Sequence, residues 1–274
     1  MAAAAPRDPL AWCVTTARHP DEELERQARQ LAHRLGLEYW PRRGRPLDPA
    51  RAGPGRAFLV VERGGLAVHA GGRRIVYHPG MAVHRVRALR EGHPDPMVEA
   101  MGLTGGEQVL DATLGLGSDA LVAAFAVGPR GRVTGLEKVA ALAALVEAGL
   151  ASYPWRDPAL AEAARRIEVR AADHRAFLAA CPPGSFDVVY FDAMFERSLP
   201  GSASMAEWRQ VADESPVEME ALQQARRVAR RRVVLKERAD SRRLARLEPP
   251  RLVGGRSSRV VFAVWELGGA GAHG

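Results

Sequence analysis

The sequence predicts an α/β protein: a doubly wound parallel sheet with a small α/β domain ahead of it. Three observations carry this prediction. Val109 to Ala120 reads as a buried strand end, a glycine loop and a helix start, with Gly115, Gly117 and Ala120 at G-x-G-x-x-A spacing. From about residue 104, strand-like apolar runs alternate with helical stretches over short loops, the pattern of parallel strands with helical crossovers. Before residue 80, strand-length runs are joined by Gly-Gly pairs, the pattern of a small unit containing hairpins.

Residues 11–17 predict a short strand. A helix opens at Pro20-Asp21-Glu22-Glu23, where acids suit the positive end of the helix dipole. Leu24, Ala28, Leu31, Ala32 and Leu35 then recur at helical spacing, and Gly36 ends the helix. A loop rich in Arg, Gly and Pro runs from Arg42 to Gly55, followed by strands at 58–62 and 66–69 and a third run at 73–78. The chain thus divides into a small domain (1–80), a helical linker (81–103), a main domain (104–267) and a flexible Gly/Ala tail (268–274). In the main domain, strands are predicted at 107–111, 132–136, 167–170, 186–191, 232–236 and 259–265. Helices are predicted at 118–127, 138–151, 174–180 and 217–230. The last strand follows a break at Gly254-Gly255, which leaves it free to insert antiparallel.

Composition narrows the function classes. A hydrophobic content of 47% excludes a disordered chain, and no apolar run is long enough to span a membrane. The N-terminus has no apolar stretch behind a basic start, so no secretory signal is expected. Cys13 and Cys181 sit in dissimilar contexts without CxxC spacing, which argues against a disulfide framework or a zinc site and fits the cytoplasm. His69, His78, His84 and His93 show no zinc-like pairing either, so no metal is expected. A net charge of +7 suits a polyanionic partner. Only Lys138 and Lys236 are lysine among 39 basic residues, and so strong an arginine bias reflects a GC-rich genome as well as function.

The glycine loop lets the backbone approach a ligand closely, and Ser118 or Asp119 is placed to cap the helix behind it. Three further features point to a nucleoside ligand. Glu137 follows the predicted second strand, 26 residues beyond Asp111, where an acid is placed to accept hydrogen bonds from a ribose diol. Asp173 ends the third, within reach of an adenine amino group, although it equally suits a helix N-cap. Phe186 to Phe195 forms a strand that delivers Asp192 and then Phe195 to the carboxyl edge of the sheet, the ligand-binding edge of such folds. Asp192 can accept from an exocyclic amine, and Phe195 can stack on a flat base. Arg226 to Arg232, at the end of a predicted helix, is either dipole compensation or an RNA contact.

Together these residues resemble a class I S-adenosylmethionine-dependent methyltransferase. The chain is most similar to the family of bacterial small-subunit ribosomal RNA guanine-N2 methyltransferases. The resemblance lies in Leu110 to Gly117, Leu136 to Lys138, Leu142 to Leu150, Val189 to Phe195 and Val233 to Lys236, and covers most of residues 105–265. It implies a Rossmann-like doubly wound methyltransferase sheet and a cofactor site for S-adenosyl-L-methionine. Asp111, Gly115, Gly117, Ser118 and Asp119 would form the loop side of that site. Glu137 and Lys138 would stand at the ribose, Ala172 and Asp173 at the adenine, and Asp192 at the head of the catalytic loop. Ribosomal RNA or the small ribosomal subunit is the implied partner. Two departures mark a divergent member: Ala193 and Glu196 replace two prolines of the family's Asp-Pro-Met-Phe-Pro loop, and Ser118 stands where the family has arginine.

The chemistry implied is transfer of a sulfonium methyl group to an exocyclic nitrogen. That nitrogen is a weak nucleophile, because its lone pair is delocalised into the ring. Alignment and an acceptor for the amine hydrogens are therefore the enzyme's task, with Asp192 the acceptor, Phe195 the stacking surface and Lys236 a contact to substrate phosphate. A nicotinamide-dependent dehydrogenase would share the glycine loop and the ribose acid but leave Asp192 to Phe195 unused. A small-molecule methyltransferase, or an RNA-binding module that has lost catalysis, remains open at this point.

Overall fold

The structure is a computed structural model of the 274-residue chain and describes residues 10–47, 55–192, 217–254 and 259–268. The fold forms two compact units. The first holds the described residues up to Tyr77 together with a later helix, residues 140–152. Its strands are β1 (Ala11–Thr16), β2 (Glu38–Tyr39), β3 (Arg56–Glu62), β4 (Gly65–Ala70) and β5 (Arg73–Val76), in the order β2-β1-β3-β4-β5. β1 runs parallel to β2 and β3, and the two Gly-Gly turns join β3, β4 and β5 as an antiparallel meander. Helix α1 (Glu22–Leu35) starts where Asp21 accepts the Leu24 N–H at 2.9 Å and stops at Gly36, whose left-handed φ of 65° suits glycine. It buries Leu24, Ala28 and Ala32.

The second unit begins with two short helices, α2 (Ala82–Arg90) and α3 (Pro96–Met101), where one bridging segment was expected. Asp95 caps α3 ahead of Pro96, a residue suited to the first helical turn. A seven-stranded sheet follows: β6 (Gln108–Asp111), β7 (Arg132–Glu137), β8 (Ile167–Ala171), β9 (Phe186–Asp192), β10 (Ala229–Arg238), β11 (Arg251–Gly254) and β12 (Val260–Glu266). Their order is β11-β12-β10-β9-β6-β7-β8. β8, β7, β6, β9 and β10 are parallel, and β12 pairs antiparallel with both β10 and β11. The remaining helices are α4 (Ser118–Val127), α5 (Ala140–Ser152, the helix counted with the first unit), α6 (Pro158–Ala164), α7 (His174–Ala180), α8 (Met219–Val228) and α9 (Arg242–Leu247). One apolar cluster, including Leu110, Leu136, Val189, Phe191, Leu222 and Leu235, fills the interior along the sheet.

The expected helix 217–230 ends earlier, at Val228, and Arg230 to Arg232 lie on β10. Val233 and Val234, which follow, are fully buried in an interior strand of the sheet and draw those arginines into it. Their charges serve the fold. Arg227 donates to the Leu178 and Cys181 carbonyls, Arg230 pairs with Asp187, Arg231 with the buried Glu107, and Arg232 donates to the Glu99 and Ala100 carbonyls.

Candidate active site

The sheet order reverses between β6 and β9. The chain moves outward from β6 through β7 to β8 and then returns to the other side of β6. Crevices at such a reversal, beyond the carboxyl ends of the strands, are where doubly wound sheets hold ligands. Here they receive Asp111 from β6, Glu137 from β7, Asp192 from β9 and Lys236 from β10. Lys236 and Asp192 are register partners on adjacent strands.

Between β6 and α4 the chain turns through Gly115 and Gly117, with left-handed φ values of 52° and 74°. Gly117 itself holds the N-cap position, and no side chain caps α4. The expected cap from Ser118 or Asp119 therefore does not form, because Asp119 is drawn inward by other partners. The first-turn N–H groups of α4 lie at the end of a helix dipole that favours anionic and polar ligand atoms. The Leu114 N–H bonds the Leu136 carbonyl at 2.8 Å and seats the turn on β7. Gly135 makes room for this, since a Cβ there would lie 2.5 Å from Leu114 Cδ1.

Glu137 is buried and accepts the Val139 N–H at 2.9 Å. The Ala172 N–H bonds the Glu137 carbonyl at 3.0 Å, so the expected ribose and adenine positions adjoin. Asp173 is the N-cap of α7, accepting the Arg175 N–H at 2.8 Å. The Arg175 side chain also grips both its oxygens and, as the largest influence, holds its carboxyl well below the usual range. Lys138 is exposed, 3.7 Å from Asp173.

At the centre stands an ionic chain. Lys236 Nζ lies 2.9 Å from Asp119 Oδ2 and 2.9 Å from Asp192 Oδ2. Tyr190 donates its hydroxyl to Asp119 at 2.6 Å, and Arg85 on α2 binds the other Asp119 oxygen. Arg85 also holds Asp95 through bonds of 2.8 and 2.9 Å. The Asp192 N–H donates to Thr113 Oγ1 at 2.6 Å, which ties β9 to the glycine turn. Lys236 is thus engaged by two carboxylates, and its side chain is only 21% exposed, so the geometry turns it inward instead of toward a phosphate.

These contacts set the charges. Burial would raise the Asp119 carboxyl, but Lys236 and Arg85 outweigh it and hold the group well below the usual range. Burial pushes Asp192 up, opposed by Lys236 and reinforced by Asp119. Asp111 is enclosed, accepts the Thr113 N–H at 3.1 Å, and is pushed up to about 8 by burial, with Asp119 and Asp192 adding to the rise. Lys236 is raised above its ordinary value by the two carboxylates despite its burial.

Sequence reasoning singled out Asp111, Asp119, Asp192 and Lys236 but missed Arg85, Asp95, Thr113 and Tyr190. Thr113 and Tyr190 lay within recognised motifs, whereas nothing in the local sequence around Arg85 signals that it reaches α4. Phe195, with Ala193, Met194 and Glu196, lies outside the described residues. Among the described residues no helix is long and apolar enough to cross a membrane, and no cluster of metal-ligating side chains forms.

The donor set fits a nucleoside-bearing methyl donor. Left-handed glycines beside an uncapped helix start, with a buried carboxylate ending the next strand, offer polar backbone at one end and an acid for a diol at the other. The comparisons with known proteins agree. A family model for SAM-dependent methyltransferases matches residues 60–265. The chain is 36% identical to the Bacillus subtilis protein YpiP over 82% of this chain and 88% of that protein. It is 30% identical to ribosomal RNA small subunit methyltransferase J of Thioalkalivibrio sulfidiphilus, over 92% and 97% of the two chains. The same-named protein of Laribacter hongkongensis is 36% identical over 67% of this chain and 66% of its own. A SAM-dependent methyltransferase structure from Neisseria gonorrhoeae superposes with a TM-score of 0.65 at 22% identity, covering 94% and 97% of the chains, which shows the shared fold. The match over most of the chain leaves one conclusion: this protein belongs to the SAM-dependent methyltransferase family, with S-adenosyl-L-methionine as its cofactor.

Proposed function

We propose that the protein methylates the exocyclic N2 of a guanine in ribosomal RNA of the small subunit, in the cytoplasm. The observation that carries the reading is Asp192, an acid held at the sheet edge by Lys236 and the Thr113 hydroxyl. An exocyclic amine needs an acceptor for its hydrogens, and Asp192 can be that acceptor. The names of relatives along nearly the whole chain, and a net charge of +7, support an RNA substrate. In this reading Gly115, Gly117, Ser118, Glu137, Lys138, Ala172 and Asp173 hold the cofactor, and Phe195 stacks on the base. Bound S-adenosylmethionine supplies an electrophilic methyl group on a sulfonium sulfur. The residues of the chain align the amine, exclude water and accept its proton.

The test incubates the purified protein with methyl-labelled S-adenosylmethionine and small ribosomal subunits from cells lacking the protein. Label in N2-methylguanine after nuclease digestion is the expected result. With cell extract in place of the subunits, label that still enters a small molecule after the extract has been treated with nuclease would overturn the RNA assignment. Cofactor binding without any transfer would favour a non-catalytic RNA-binding module.

A further inference from the structure

The ionic chain at the sheet edge joins two cations, Lys236 and Arg85, to three acids, Asp95, Asp119 and Asp192. Lys236 is mostly buried and divides its ammonium between two acids, Asp119 and Asp192, at equal distances of 2.9 Å. Asp119 does not move with it, because Tyr190 and Arg85 fix its two oxygens and Arg85 is itself forked onto Asp95. The ammonium is therefore held in place by a braced acid on one side and engages a functional acid on the other. Among the described residues, Asp192 accepts a side-chain hydrogen bond at Oδ2 alone, from Lys236.

We propose that Lys236 is a positioning residue for Asp192: braced by Asp119, its ammonium fixes one carboxylate oxygen and supplies the countercharge, and so presents the other oxygen to the acceptor nitrogen. The inference rests on the methyl-transfer reading above. When the nitrogen gains the methyl group, the carbon–sulfur bond breaks, sulfur leaves as a neutral thioether and the nitrogen sheds one proton. Asp192 takes that proton if it is ionised beforehand. The charged and titratable groups facing it are Asp111 on β6, Asp119 on α4, Arg85 on α2, Lys236 on β10 and Tyr190 on β9 itself.

The two partners of the clamp act on Asp192 in opposite senses, since Lys236 lowers its pKa and Asp119 raises it. This gives a test that a merely structural role would not pass. The full-length wild type, Lys236→Met, Lys236→Arg and Asp119→Asn are compared for S-adenosylmethionine affinity by calorimetry and for kcat from acid to alkaline pH. Lys236→Met should lower kcat at neutral pH by about 100-fold, within the span of lost acid–base catalysis. Its acid limb should move up by about 1–3 pH units, so that alkali restores part of the rate. Lys236→Arg should keep the limb near its wild-type position, and Asp119→Asn should move it down. Affinity for the cofactor should change little in the two Lys236 variants. Equal loss at every pH, or limbs moving in the same direction, would overturn the proposal. If Lys236→Met fails to fold, Asp119→Asn decides alone: a limb that stays or rises overturns the clamp. A wild type that binds no S-adenosylmethionine or transfers no methyl group would defeat the underlying reading, a separate result.

Discussion

Arg85 on α2 and Asp95, the N-cap of α3 ten residues on, form a two-pronged ion pair with N–H···O distances of 2.8 and 2.9 Å. The same guanidinium reaches Asp119 on α4. Arg85 is thus the sole described cation bridging these two enclosed acids. Removing it as Arg85→Met leaves both acids short of a partner, which for buried pairs costs about 3–5 kcal/mol. The expected outcome is a clear fall in the urea midpoint, partly regained when Asp95→Asn is added. A midpoint unchanged in the single variant would refute this role.

Asp192 is expected to matter for the rate and not for the fold. Its side chain is 36% exposed, at the end of β9. Asp192→Asn keeps the size and loses the proton acceptor. Methyl transfer should fall by about 100-fold or more, with thermal stability and cofactor affinity close to wild type. Retention of the full rate would remove Asp192 from the mechanism.

Asp111 makes stability depend on pH in an unusual direction. Its folded-state pKa is raised from 3.8 to about 8. Between those values the folded protein holds a proton that the unfolded chain has released. The associated stability is complete below the lower value and is lost as pH climbs through the upper one. Asp111→Asn mimics the protonated form and can still accept the Thr113 N–H. It should therefore be more stable than wild type by a few kcal/mol at mildly alkaline pH, with the gain fading toward acid. Melting curves at a series of pH values check this, and a gain independent of pH would contradict it.

Gly135 is expected to be sensitive although it lies on a strand, where glycine is ordinarily a weakness. A methyl group there would meet Leu114 at 2.5 Å and push the glycine turn off β7. Gly135→Ala should cost about 1–3 kcal/mol by overpacking and weaken S-adenosylmethionine binding, and Leu114→Ala in the same chain should relieve both. Calorimetry on the single and double variants gives the answer.

Where the sequence was legible, local chemistry determined structure. Asp21, Gly36 and the apolar stripe between them identify α1, and the V-L-D-A-T-L-G-L-G run identifies the turn from β6 into α4 with its correct helix bounds, residues 118–127. The final strand, which the Gly254-Gly255 break leaves free to insert antiparallel, does pair antiparallel with β10. What escaped was short or non-local. β11 has four residues following two prolines, and α6 and α9 have seven and six, too brief for a period to show. Arg230 to Arg232 carry the same charges as the helix before them, so only burial in the sheet decides that they are strand. In the site, Asp192 stood out by its position after an apolar run. Arg85 could not, since its meaning depends on Asp119, 34 residues further on.

The helix α5 has one more consequence. It lies in the sequence between β7 and α6, yet groups with the first unit, and Ala141 to Val146 and Leu150 are all buried. The two units are therefore interleaved along the chain, and no single cut yields two intact halves. A fragment beginning at residue 104 would carry α5 away from the strands it groups with and leave an almost wholly apolar helix wet and sticky. The larger unit should be produced with the smaller one attached, and a nick after Tyr77 should release no freely dissociating piece.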